Sequence, residues 1–181
     1  MDGVKYYPRI QEGGKEILYA LFYIQDAIMR TYSSAKLEEF PEVYNGEWFK
    51  TSEYFPGKVV PPTDPSNLIK VKVNASHAKN CGTPIYFHEG PSRRPTGTYV
   101  APGTIVKINV PPALVDKGYT IQVGAHYRDL KYRKWIMRLD RATIIYPVLD
   151  EIVTVGSPLG GNIYFEVPES WERIKLELIR K

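Results

Sequence analysis

The chain has 181 residues, of which 43% are hydrophobic and 24% charged, a balance typical of a globular domain with a sizeable core. Its net charge of +4 is mild, and basic and acidic residues are interspersed, so charge alone does not indicate a nucleic-acid-binding protein. No apolar run approaches a membrane span, and the single cysteine, Cys81, excludes an intramolecular disulfide and a cysteine metal cluster.

Residues 1–41 are predicted to form an N-terminal helical segment. From residue 15 to about residue 39, apolar side chains recur every three or four positions, which predicts one amphipathic helix. The apolar stripe consists of Ile17, Leu21, Ile24, Ile28 and Tyr32, and Leu18, Phe22 and Met29 widen it. We expect the helix to end at Phe40, because a residue that precedes a proline disfavours helical backbone. The stripe is expected to pack on the chain's own domain; the alternative is docking against a neighbouring domain.

Residues 42–67 are predicted to be a connector rich in proline, glycine and aromatic residues. This composition is too aromatic for a flexible linker, so we expect the connector to lie along the surface of the domain that follows. Trp48 and Tyr54 belong to it. Exposed aromatic rings stack on sugar rings or anchor a protein partner, so both are candidate binding residues.

From residue 68 the hydrophobic period changes to two. Ile69, Val71 and Val73 alternate with polar residues, as in a strand with one solvated face. Further strands are predicted at residues 97–100, 104–110, 119–125, 133–137, 143–146, 151–155, 162–167 and 174–179. Many short strands between turn signals predict a mainly β fold, an antiparallel, jelly-roll-like β-sandwich that spans residues 68–181.

The sequence does not contain a recognisable catalytic or metal motif. His88-Glu89 begins a zinc-peptidase His-Glu-x-x-His pattern, but position 92 is Ser92, and Gly90-Pro91 would break the helix that the pattern needs. His126 follows an apolar strand, where a hydrogen-bonding role at the strand end is expected. We therefore predict no catalytic residue and no metal ligand.

The most basic stretch, residues 131–141, interleaves basic side chains with Tyr132 and Trp135. Such a pattern can bind single-stranded nucleic acid by stacking and phosphate contact. It is also typical of a strand that lysine and arginine protect from edge pairing. We favour the second interpretation, so nucleic acid is not an expected partner.

Several short segments carry a resemblance to a known family. They are Phe55-Pro56-Gly57, the stretch 95–100 with Pro102-Gly103, the stretch 121–126, Arg141-Ala142, and the stretch 157–168. In this order and spacing they resemble the N-terminal part of the enhancin-like zinc metallopeptidases, the family of viral enhancins and bacterial mucinases, which has channel-associated relatives in animals. The motif residues expected to have structural roles are Gly97, Tyr99, Gly103, Gly124, Gly160 and Gly161. Two departures concern ligand specificity: Arg141-Ala142-Thr143 replaces the usual Arg-x-Pro, and Arg93-Arg94 precedes the Thr-Gly-Thr segment.

The resemblance implies a non-catalytic β-sandwich that precedes a peptidase core. Such a module would support the catalytic domain or position a mucin or glycoprotein substrate, with zinc and its His-Glu-x-x-His helix only in a downstream domain. The alternative is a stand-alone module that binds glycans or a protein partner without peptidase activity. The candidate binding residues are Trp48, Tyr54, Arg93, Arg94 and His126. The compartment stays open: secreted or cell-surface for a mucinase, cytoplasmic for a channel-associated relative.

Overall fold

The computed structural model describes residues 7–8, 16–64, 66, 68–77, 91–126, 135–136, 139, 141–168 and 175–180. Cys81, His88 and most of the basic stretch 131–141 lie outside these residues. The described helices are α1 (Glu16–Thr31), α2 (Ser34–Glu39) and α3 (Pro41–Tyr44), with short 3-10 turns at Lys50–Glu53 and Pro112–Leu114.

Most of the described regular structure consists of antiparallel strands. Their bounds are β1 (Tyr7–Pro8), β2 (Ile69–Asn74), β3 (Ser92–Val100), β4 (Ile105–Asn109), β5 (Thr120–Val123), β6 (Trp135–Ile136), β7 (Ile144–Pro147), β8 (Ile152–Gly156), β9 (Gly161–Val167) and β10 (Lys175–Arg180). β1 and β6 pair with each other, and the other eight strands form two four-stranded sheets. The predicted mainly β fold is confirmed.

The strand order is that of a jelly roll. One sheet has the order β2-β10-β4-β8 and the other has the order β3-β9-β5-β7. The chain therefore crosses between the sheets at most connections, and β10 returns to lie between β2 and β4. Two sheets wound together in this way form a double-sheet jelly roll.

The core lies between the inner faces of the two sheets. In the sheet β3-β9-β5-β7, Phe165 of β9 lies opposite Ile121 of β5, which in turn lies opposite Tyr146 of β7, and all three are buried. Val106 and Val155 form the corresponding inner pair of β4 and β8. Residues of both sheets belong to one hydrophobic cluster, so the sheets stack face to face as a sandwich.

The N-terminal segment is not the single helix that its periodicity predicted. Ser33 has extended backbone, with φ −150° and ψ 157°, and its side-chain oxygen accepts a hydrogen bond from the Lys36 N–H at 3.3 Å. Ser33 thus caps a new helix, α2, and ends the continuity of α1. The expected end at Phe40 is correct, and Pro41 starts α3 in the position where proline needs no N–H partner.

The predicted apolar stripe of α1 is only partly correct: Phe22, Met29 and Tyr32 pack on the sandwich, whereas its other described members do not. Met29 and Tyr32 are buried against the sandwich and Phe22 packs beside them. Ile17, Leu21, Ile24 and Ile28 are exposed instead. Periodicity could not choose between these faces because α1 is apolar on both of them.

Helix α2 covers the outer face of β8. Leu37 is buried, and its methyl groups lie 3.5 Å from the position that a side chain would occupy on Gly156. Thr154, on the same outer face of β8, donates a hydrogen bond to Glu38. An outward-facing glycine and threonine thus give the helix a flat surface on which to pack.

Candidate functional site

Of the five predicted binding residues, Arg93 contacts the residue that precedes His126, whereas Arg94 faces the other side of the sheet. Adjacent residues of a strand point to opposite faces of its sheet. Arg93 lies opposite Glu166 on the outer face of β3 and β9, whereas Arg94 lies opposite the core residue Phe165. The basic pair therefore does not form one patch.

Arg93 spans the outer face of the sheet. Its Nε lies 3.5 Å from Glu166 Oε1, its guanidinium lies over the Tyr164 ring at 5.5 Å from the centroid, and its Nη1 donates to the Ala125 carbonyl at 2.9 Å. Ala125 directly precedes His126, whose carbonyl accepts a hydrogen bond from the Ala142 N–H at 2.8 Å. Arg93 thus holds the segment after β5 against the sheet.

Polar residues that the sequence analysis did not single out complete this outer-face cluster. Glu166 is buried although it points away from the core, and Thr120 donates to its Oε2 at 2.8 Å. Gln122 is fully buried, and its amide nitrogen donates to the Gly124 carbonyl at 2.6 Å. In the sequence, Gln122 and Glu166 could have been noticed as polar residues inside otherwise apolar strands. Their contacts are those of an internal network that fixes the loop after β5.

Arg94 makes a separate contact, with the residues that follow β2. Arg94 Nη2 donates to the Ser76 carbonyl at 2.7 Å and so ties β3 to the end of β2. The guanidinium of Arg94, like that of Arg93, is thus engaged within the domain.

Four family-motif glycines pack directly against other backbone: Gly103, Gly124, Gly160 and Gly161. Gly124 has φ +89°, and a Cβ built on it would lie 1.9 Å from the Ala142 carbonyl oxygen. A Cβ on Gly161 would lie 2.7 Å from the Cα of Gly124. Only residues without side chains allow β9 and the end of β5 to approach this closely. Gly97, Gly103 and Gly160 also have positive φ angles.

The connector is held against one end of the sandwich. The Gly46 N–H donates to the Gly103 carbonyl at 2.7 Å, and the Phe49 N–H donates to the Pro158 carbonyl at 2.9 Å. Tyr99 donates its hydroxyl to the Gly57 carbonyl at 2.8 Å, and partial burial raises the pKa of Tyr99. The family-motif residues Gly103 and Tyr99 therefore contact the connector directly.

Trp48 and Tyr54 occupy this fixed connector. Lys58 Nζ lies 3.7 Å from the centroid of the half-buried Trp48 ring, a cation–π contact. Tyr54 is 90% exposed. Backbone hydrogen bonds at Phe49 and Gly57 flank both rings, so the connector presents aromatic groups from a fixed backbone. The contribution of Lys58 was not predicted, since no sequence signal places it over Trp48.

Charged side chains join α1 to the sandwich. Arg141 pairs with Asp26 of α1, and Arg30 donates to the Thr143 carbonyl at 2.7 Å. Burial lowers the pKa of Arg30. Burial, followed by the nearby Tyr44, raises the pKa of Tyr32 to about 12. Arg141, the arginine of the family's Arg-x-Pro motif, and Thr143, which replaces the proline, thus both have structural roles here.

Within the described parts of the chain, no group of three or more His, Cys, Asp or Glu side chains could hold a metal ion. These residues therefore do not fit a zinc site. Among the same residues, no helix has the length and apolarity needed to cross a bilayer.

Comparison with known proteins bears on the sandwich and the residues just before it. A TRPM8 channel-associated factor homologue from Danio rerio is 27% identical over 126 residues, which are 67% of this chain and 14% of that protein. The chain thus spans about one seventh of the length of this relative. Two structures of the IMPa metallopeptidase of Pseudomonas aeruginosa, one of them in complex with an O-glycopeptide, each match 64% of this chain over 12% of their own length. Their TM-scores are 0.41 and 0.43, with 15% and 13% identity, respectively.

The family comparison is decisive because it covers most of the chain. Residues 63–178, from just before β2 to within β10, match the family described as the N-terminal domain of M60-like peptidases. This span includes seven strands of the two large sheets and most of β10, and it agrees with the resemblance carried by the glycine motifs. The chain belongs to the family of M60-like peptidase N-terminal domains.

Proposed function

We propose that this chain is an accessory β-sandwich module that positions a glycoprotein substrate for the catalytic domain of an M60-like zinc metallopeptidase. The observation that carries the proposal is the family match over residues 63–178, which coincides with the jelly roll. A family of peptidase N-terminal domains implies a companion catalytic domain. Zinc in that companion domain remains a prediction.

The connector supplies the most suitable surface for substrate. Tyr54 is the most exposed large aromatic residue described, and the Lys58 ammonium group lies over the Trp48 ring. Exposed aromatic faces stack on sugar rings, and the hydrogen bonds of the connector to the sandwich reduce the ordering cost of binding. Arg93 and Arg94 contribute less to this proposal, since both guanidinium groups make contacts inside the domain.

The test measures binding of the whole chain to a mucin-type O-glycopeptide and to the same peptide without sugar, by calorimetry. Binding of the glycopeptide only, weakened about tenfold by Tyr54→Ser, supports substrate positioning. Val60→Ser is the matched control, because Val60 is also an exposed connector residue, at 79%. If neither peptide binds, or if Tyr54→Ser and Val60→Ser lose the same affinity for the glycopeptide, the proposal of substrate positioning is contradicted.

A second measurement addresses the companion domain. In the full-length peptidase, Tyr54→Ser is expected to raise KM for the glycopeptide and leave kcat unchanged, because uniform substrate binding is lost without an effect on the transition state. A fall in kcat with unchanged KM would instead indicate that the module only supports the catalytic domain.

A further inference from the structure

Helix α1 presents an uncharged apolar face to solvent. Ile17, Leu21, Ile24 and Ile28 lie on it, with exposed fractions between 39% and 77%. Ala20 and Ala27 lie between them and are also exposed. The four large residues provide a patch of roughly 400 Å², comparable with the largest apolar patch of a typical monomer, which is often functional.

The charged residues of α1 do not belong to this face. Between Ile17 and Thr31 the only charges are Asp26 and Arg30, and both are engaged by the sandwich, Asp26 with Arg141 and Arg30 with the Thr143 carbonyl. What this face requires of a partner is therefore an apolar surface without charge. The face meets that requirement for a second copy of itself.

The spacing of the four residues favours an antiparallel pair. Their separations are four, three and four positions, a pattern that reads the same in both directions. When Ile17 meets the partner's Ile28, Leu21 also meets the partner's Ile24, so one two-fold axis aligns all four contacts. The spacing is that of helices packed along a heptad seam, and the small Ala20 and Ala27 allow close approach. Antiparallel helix dipoles add a favourable term.

We infer that this chain self-associates through α1 as an antiparallel, two-fold dimer. The inference is independent of the proposed function. The patch is about half of the roughly 800 Å² per partner of a stable interface, so the expected dimer is weak and reversible. Such a dimer would place two modules, and any attached peptidases, on opposite sides of one helix pair.

Sedimentation equilibrium of the whole chain under reducing conditions, which exclude disulfide dimers through Cys81, tests this inference. Wild type is expected to dimerise with a micromolar Kd. Leu21→Lys and Ile24→Glu are each expected to weaken the dimer about tenfold or more, because each leaves two charges buried without a partner. Val60→Lys, at an exposed site in the connector, is the control and should leave the Kd unchanged. Circular dichroism verifies that every variant keeps its helices.

The antiparallel register makes a sharper prediction. A mixture of the Leu21→Lys and Ile24→Glu proteins should dimerise more strongly than either alone, since the new lysine and glutamate then meet across the interface. In a parallel pair the two substituted positions would not face each other, and mixing would restore nothing. A monomer at all concentrations, a dimer insensitive to both substitutions, or a mixture without recovery would overturn the inference.

Discussion

Tyr146 joins the two sheets through its hydroxyl group, and Tyr146→Phe tests whether that contact stabilises the sandwich. Its ring is fully buried on β7, its hydroxyl donates to the Gly156 carbonyl of β8 at 2.6 Å, and it accepts from the Gly156 N–H at 3.2 Å. Phenylalanine keeps the ring and its packing. The substitution thus isolates one hydroxyl that bonds two buried backbone groups.

The expected loss in the free energy of unfolding is about 2 kcal/mol, because a buried donor or acceptor left without a partner costs about 1–3 kcal/mol. For a chain of this size, that loss lowers Tm by about 4–8 °C. Urea unfolding at neutral pH measures the difference. Tyr99→Phe is the control: its hydroxyl makes one bond, to the Gly57 carbonyl, at a half-buried site, so a loss below about 1 kcal/mol is expected.

Tyr146→Phe is also expected to change how the stability of the protein depends on pH. Burial raises the pKa of Tyr146 and Tyr32 in the folded protein above the ordinary value of 10.0, for Tyr32 to about 12. The unfolded chain then releases protons that the folded one retains, so stability is complete below pH 10 and is lost as pH rises above it. At pH 11 each such tyrosine lowers the free energy of unfolding by about 1 kcal/mol relative to neutral pH. Tyr146→Phe should therefore lose less stability than wild type between pH 9 and pH 11.

Two results would refute this account of Tyr146. A Tyr146→Phe variant within about 0.5 kcal/mol of wild type at neutral pH would show that the hydroxyl contact is not stabilising. An unchanged loss of stability above pH 10 would show that Tyr146 is not a source of the alkaline sensitivity.

The remaining predictions concern backbone positions. Gly124→Ala should destabilise the chain by about 4 kcal/mol or more, since its Cβ would clash with the Ala142 carbonyl oxygen in a left-handed backbone. Gly97 has φ +74° but open space around it, so Gly97→Ala should lower the free energy of unfolding by only about 1–2 kcal/mol. Equal Tm losses in the two variants would contradict the clash. Ser33→Ala should cost about 1 kcal/mol by removing the cap of α2, with a loss of helical circular dichroism. Ser33→Asp should retain the cap, and an equal loss in both variants would argue against capping.

The sandwich could be predicted because its signals are local. Alternating residues such as those of Ile69–Asn74 occur at nearly every strand, and turn residues separate the strands. The shortening of the predicted strand 119–125 to Thr120–Val123 has a local cause as well, since Gly124 adopts a positive φ angle that ends the ladder. The pairing order is not local: the pattern predicted an antiparallel, jelly-roll-like sandwich but no order of strands, and the structure supplies that order.

The candidate site was less predictable because its geometry depends on tertiary contacts. Arg93 and Arg94 look like one basic motif in the sequence, although the period of two already separates their faces. Nothing in the sequence places Lys58 over Trp48. The choice of packing face on α1 depends on Arg141 and Thr143, more than a hundred residues away, which hold Asp26 and Arg30.

The surfaces available for recognition lie largely outside the part of the chain that defines its family. The match covers residues 63–178, whereas α1, Trp48 and Tyr54 precede it. Yet motif residues inside the match hold the preceding connector in place. The Gly103 carbonyl accepts a hydrogen bond from the Gly46 N–H, and the Tyr99 hydroxyl donates one to the Gly57 carbonyl. A glycine that allows close approach and a tyrosine hydroxyl that reaches outward are structural requirements of the sandwich surface, independent of what is bound. Under the proposed function, binding specificity is therefore expected to depend on residues such as Trp48 and Tyr54, which the jelly roll holds in place but does not itself contain.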